Sequence, residues 1–177
     1  MKKFLILVIL FLIGETMAVE NIFNLKSTTL KNNQELPKAQ VYKGFGCDGG
    51  NSSHDMSWDG APLNTKSFAL ICHDPDAPHE FGWYHWLVIN INKNITSIKP
   101  NQKIKGSTET ITDFKTTGFG GACPPKGHGP HRYIFTVYAL DVEKLDVKQD
   151  TKPKEVEDLV KSHTIAKSSI TAIFERK

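Results

Sequence analysis

Short apolar runs separated by turn-rich segments dominate the chain, the pattern of many strands rather than of helices. Three runs are long enough to be central strands. Lys66–His73 is almost continuously apolar, Trp83–Ile91 is rich in aromatic and β-branched residues, and His131–Leu140 repeats that character. Asn21–Leu25 alternates weakly. Ser168–Phe174 reads as a last strand with Ile170, Ala172 and Phe174 on one face. Turn and loop chemistry separates these runs at Asp74–Pro78, Lys99–Asn101 and the Gly-rich Gly118–Pro130. One segment has helical spacing. Pro153 suits a first helical turn, and Val156, Leu159 and Val160 recur at i, i+3 and i+4 with Glu and Lys opposite. The pattern predicts a mainly β protein, sandwich or barrel, with one or two short helices near the C-terminus.

The N-terminus follows another logic. Lys2 and Lys3 precede an unbroken apolar run, Phe4–Ile13, and Thr16-Met17-Ala18 offers small residues where a signal peptidase reads. Ten apolar residues are too few to span a bilayer, which takes about 20. The expectation is a signal peptide over 1–18 and a single domain over 19–177, periplasmic or secreted, with no stable membrane anchoring after cleavage. The alternative is an uncleaved N-terminal anchor. The net charge of +3 is small and no Lys/Arg run exceeds two, so nothing points to nucleic acid or to a polybasic membrane patch.

Export changes the reading of the cysteines. Cys47 and Cys123 each sit in a Gly-rich loop, where backbones approach closely, whereas Cys72 lies in a strand-like run. In an oxidising compartment a Cys47–Cys123 disulfide is expected, with Cys72 a buried free thiol.

Candidate chemistry comes from strand alternation. It places His85 on one face with Trp83, Leu87 and Ile89, and His131 with Tyr133, Phe135 and Val137; Asp74 falls just past the end of its strand. If the three long strands are neighbours, Asp74, His85, His131 and Tyr133 converge at one sheet end, lined by Trp83 and the Pro124-Pro125 loop. Two imidazoles and a phenol can donate to a phosphate or carboxylate, and the carboxylate can fix a histidine tautomer or accept from an ammonium. Backbone N–H groups of Gly120, Gly121, Gly127 and Gly129 are expected to close on the anion. Affinity should then fall as pH rises above the histidine range, about 6.5.

The neighbouring residues read as structural. Asp76 and Arg132 suit an ion pair tying a turn to a strand. Cys72 and His73 are adjacent on a strand and point to opposite faces, which argues against a nucleophile–base pair. His85, His131 and Asp74 have zinc-compatible side chains but no metal-motif spacing, so neither metal nor cofactor is expected. His73, His79, His128 and His163 are expected to be solvated or locally hydrogen-bonded. The sequons at Asn51 and Asn94 read as incidental, and His54 suggests no role.

Three motifs carry a resemblance: Asp74-Pro75-Asp76-Ala77-Pro78, His85-Trp86-Leu87-Val88-Ile89-Asn90-Ile91, and Pro124-Pro125-Lys126-Gly127-His128-Gly129-Pro130-His131-Arg132-Tyr133 with the strand that follows. In this order they resemble the phosphatidylethanolamine-binding (Raf kinase inhibitor-like) family, its bacterial exported branch in particular, from about Tyr42 onward. The resemblance implies an antiparallel β-sandwich-like body and a pocket for phosphate-like anions and phosphoethanolamine head groups. The matching ligand contacts are Asp74, Trp83, His85, His131 and Tyr133, with Pro124 and Pro125 at the rim. It also admits modulation of a partner enzyme, though no residue here carries that role. Pro78–His85 is shorter than in animal members and no helix follows the last strand, which argues against a lid. Cys123 stands where animal members have Gly, in keeping with a disulfide of exported relatives. The competing readings are a phosphoester hydrolase using the Asp/His cluster, and an interaction module that inhibits a protease or kinase.

Overall fold

The computed structural model describes residues 22–177, so the expected signal peptide over 1–18 lies outside the described residues. The chain forms, in order, β1 (Asn24–Lys26), β2 (Gln34–Glu35), β3 (Lys43–Gly44), β4 (Cys47–Asp48), β5 (Met56–Asp59), β6 (Ser67–Asp74), β7 (Trp83–Asn92), β8 (Ser97–Ile98), β9 (Thr108–Glu109), β10 (His131–Leu140), α1 (Pro153–Ser162) and β11 (Thr164–Phe174). The main sheet has the order β2-β11-β10-β6-β7-β9, and a smaller sheet has the order β1-β5-β8. Neighbours in the main sheet run antiparallel, except that β2 joins β11 in parallel.

The main sheet is buried on both faces. On one, Leu25, Met56, Trp58 and Ile98 of the smaller sheet pack on Phe68, Leu70, Cys72, Trp86, Val88, Phe135 and Val137. On the other, α1 lays Val156 and Val160 over Ala69, Ile71, Leu87, Ile89 and Tyr138. A strand covered on both sides has no solvent face to alternate with, which is why β6 and β7 read as nearly unbroken apolar runs. The architecture is the expected mainly β, sandwich-like body with one short C-terminal helix.

Differences from the sequence reading have local causes. β11 begins four residues before Ser168, because Thr164–Lys167 lacks alternation yet pairs with Tyr138–Leu140 of β10 through its backbone. The two-residue strands are too short to leave a period. Cys47 and Cys123 form the expected disulfide, and Cys72 is free and buried. Asp76 receives the backbone N–H of Arg132 at 2.8 Å and its guanidinium at 2.7 and 2.9 Å, the expected tie between turn and strand. Among the described residues no helix is long and apolar enough to cross a membrane.

Candidate functional site

A β-bulge builds the site. Cys72 of β6 faces Trp86 of β7 and His73 faces Tyr84, so His85 is the extra residue between two paired ones. A bulge reverses the alternation beyond it and re-aims the side chain it frees. Tyr84, Leu87 and Ile89 therefore lie on the helix side of the sheet, while Trp86 and Val88 lie between the sheets. The reading that put His85 on the face of Leu87 and Ile89 is corrected. Its ring packs edge-on against Tyr133, with centroids 5.1 Å apart, on the inter-sheet side. Asp74 closes β6 on the same side as Phe68, Leu70 and Cys72, and it is the last strand residue rather than one beyond it. At this end the inter-sheet core opens into a cavity of about 140 Å³, lined by Asp74, Trp83, His85, Pro124, Pro125, His131 and Tyr133, all seven of the sequence-predicted residues.

Hydrogen bonds fix the polar floor. Asp74 is buried, and its Oδ1 accepts the backbone N–H groups of Asp76 at 2.8 Å and Ala77 at 3.1 Å. Its Oδ2 accepts from His131 Nδ1 at 2.7 Å, which sets that ring's tautomer and orientation. His131 Nε2 is hydrogen-bonded to Nδ1 of the exposed His128, 2.7 Å away. His85 Nδ1 donates to the carbonyl of Gly120 at 2.8 Å. Burial, partly offset by that hydrogen bond and by the charge of Asp74, lowers the His85 pKa to about 4. Burial and then the Asp74 charge push the Tyr133 hydroxyl well above its usual range, so it stays a proton donor.

The walls come from the long connection between β9 and β10. Asp113 N–H donates to the Tyr84 carbonyl at 3.2 Å, and Gly120 N–H donates to the His85 carbonyl at 2.9 Å, so the loop runs alongside the bulge. Between them Phe114 meets Trp83 and His85, each at 5.4 Å between centroids. Gly120 lies against Phe114 so closely that a Cβ would come 2.3 Å from the ring, and one on Gly121 would come 2.2 Å from the Gln40 carbonyl. Phe45, in the β3–β4 turn, completes the mouth beside Cys123, and the disulfide joins the two loops. The Arg176 guanidinium donates to the carbonyls of Phe45 at 3.1 Å and Gly46 at 3.0 Å, holding the turn in place.

The glycine amides differ from expectation. Gly120 N–H goes to His85, Gly121 N–H to Asn51 Oδ1, and Gly127 N–H to the Arg176 carbonyl, so these three serve the loop itself. His73 donates locally to the Phe81 carbonyl and His163 to the Asp141 carboxylate, as expected of structural histidines. Sequence reasoning missed Phe45, His79 and Phe114 as lining residues and the contact of His128 with His131. His128 was within reach, since His128-Gly129-Pro130-His131 brackets a tight loop; Phe114 had no local signal.

Comparison with known proteins identifies the family. The family described as phosphatidylethanolamine-binding protein matches residues 26–175. The UPF0098 protein YbcL of Escherichia coli (strain K12) is 40% identical over 162 residues, 88% of either chain. Its crystal structure, described as a new member of the mammalian PEBP family, superposes with a TM-score of 0.85 over 88% of this chain and 99% of that one. The UPF0098 protein YbhB of the same organism is 43% identical, covering 84% of this chain and 97% of its own. The chain belongs to the phosphatidylethanolamine-binding protein family.

Proposed function

We propose that this is an exported binding protein whose cavity takes the phosphate or phosphoethanolamine-like head group of a small ligand. The observation that carries the reading is the shared cavity of Tyr133, His85 and an Asp74-oriented His131, walled by Trp83 and Phe114. In it Tyr133 donates to an anionic oxygen, Asp74 acts by orienting His131, and Trp83 covers the ligand's carbon atoms. Pro124 and Pro125 stiffen the rim. The name of the matched family supports a phosphoethanolamine head group. The leader-like N-terminus and the disulfide support export.

Calorimetric titration with O-phosphoethanolamine tests the pocket. Saturable binding by the wild type, weakened about tenfold or more by Tyr133→Phe, is the expected result. Steady release of phosphate or ethanolamine during the titration would instead favour a hydrolase.

A second reading rests on Phe45 and Phe81, which are 69% and 49% exposed. Phe45 lines the mouth, and Phe81 lies in the adjoining groove across Trp83. They suit a rim that docks on a partner enzyme. Partner capture lost in a Phe81→Ser variant, a position outside the cavity lining, with ligand binding kept, would favour it.

A further inference from the structure

The Gly120 carbonyl gives His85 a polarity opposite to that of an anion donor. A carbonyl only accepts, so the proton of the neutral ring sits on Nδ1 and Nε2 carries a bare lone pair. Nε2 has no protein partner and is not sealed from solvent among the described residues, and His85 lines the cavity, so this lone pair opens onto it. Burial keeps the ring in that neutral form at neutral pH.

The charges of the lining point the same way. Among the described residues no Lys or Arg lines the cavity, and the one carboxylate is Asp74. A phosphate dianion entering here meets a lone pair and a carboxylate with no fixed cation to offset it. A singly protonated phosphate presents one P–OH to His85 Nε2 and two oxygens that accept from donors such as Tyr133. Resting on the anion-binding reading above, we infer that His85 is a hydrogen-bond acceptor that selects the proton-bearing form of a phosphate monoester over anions without a proton. The Gly120 carbonyl is the positioning group that enforces this choice.

The titratable groups bearing on His85 are Asp74 and His73 of β6, His131 and Tyr133 of β10, and His79 of the β6–β7 turn; the β9–β10 loop presents Phe114. Imidazoles in general titrate in the same range as a phosphate monoester, so affinity against pH for one ligand does not isolate the ligand's proton. The ratio of two ligands does, because protein-side titrations act on both.

The probes are O-phosphoethanolamine and its sulfate ester, 2-aminoethyl hydrogen sulfate, which has nearly the same shape and no acidic proton when singly charged. At about pH 5.5, below the second phosphate ionisation near 6, the phosphate ester should bind at least about tenfold more tightly. That ratio should shrink as pH rises towards about 7.5 and the phosphate loses its proton. The His85 Nε2 signal in nitrogen-15 spectra should keep the shift of an unprotonated, accepting nitrogen in the phosphate complex. Equal affinity of the two esters at low pH, a ratio that grows with pH, or a protonated Nε2 in the complex would each overturn the selection while leaving an anion pocket in place. Binding of neither ester at any pH would instead remove the anion-binding reading itself.

Discussion

At the scale of single residues, the site depends on one extra residue in a strand. His85 reaches the cavity because the bulge frees it from the alternation of β7. Seven of the thirteen lining residues were legible from motif and strand position, but the face of His85 was not, since period-two reasoning assumes an unbroken ladder. The buried Asp74 tests the orienting role. Asp74→Asn keeps an acceptor for the two turn amides but turns an N–H towards His131 Nδ1, forcing the other tautomer. The variant should fold with a loss of about 1–3 kcal/mol in urea unfolding. Its affinity for O-phosphoethanolamine should drop about tenfold or more. Unchanged affinity would show that His131 needs no orientation.

His54 had no reading in the sequence, and the fold gives it one. The ring is fully buried, packs edge-on against Phe135 at 4.9 Å between centroids, and leaves Nε2 without a partner among the described residues. Burial, opposed by the nearby Asp55 charge, lowers its pKa to about 4, as burial does for His85. An unfolded histidine titrates near 6.5, so acid protonates the unfolded chain first. The stability from each neutral ring is therefore complete above about pH 6.5 and is lost as pH falls towards 4. His54→Phe should shrink the difference in unfolding free energy between about pH 7 and pH 4.5 by on the order of 2 kcal/mol. An undiminished difference, measured by urea unfolding at the two pH values, would contradict this.

At the scale of elements, legibility followed length and burial. β6, β7 and β10 were readable because a strand covered on both faces concentrates apolar residues, and α1 because Val156 and Val160 sit at helical spacing. The short strands were not, and the β9–β10 connection was legible only as a loop over Gly118–Pro130 and not in its path, because backbone hydrogen bonds and glycine close approaches place them, and neither leaves a hydrophobic period. Within that loop the disulfide has the largest single effect. It links positions 76 residues apart, and the chain-entropy account assigns such a bridge about 4 kcal/mol. The Cys47→Ser, Cys123→Ser double variant should lose stability of that order in guanidinium unfolding. It should also bind ligand more weakly, because Phe45 and Cys123 both line the mouth. A change below about 1 kcal/mol would mean that the Arg176 contacts and the packing of Gly121 hold the loops without the bridge.

At the scale of the whole molecule, the two-sided burial of the main sheet fixes where a ligand can enter. The inter-sheet core opens into the cavity where β6 ends, β7 bulges and β10 begins. Three separate motifs converge there, which is why their order along the chain carried the family resemblance. On the proposed reading, small net charge and a cavity that no lysine or arginine lines among the described residues make an anion site that works by hydrogen bonding and exclusion of water rather than by charge attraction. Such binding should depend only weakly on salt, unlike binding by surface cations.

The most direct measurement is an NMR titration of the chain with O-phosphoethanolamine, following the histidine ring signals. The account predicts that His85, His131 and His128 shift together and saturate with one affinity, while His54 and His163, away from the cavity, stay in place. Stationary His85 and His131 signals at millimolar ligand would contradict it, leaving the family fold without the proposed head-group pocket.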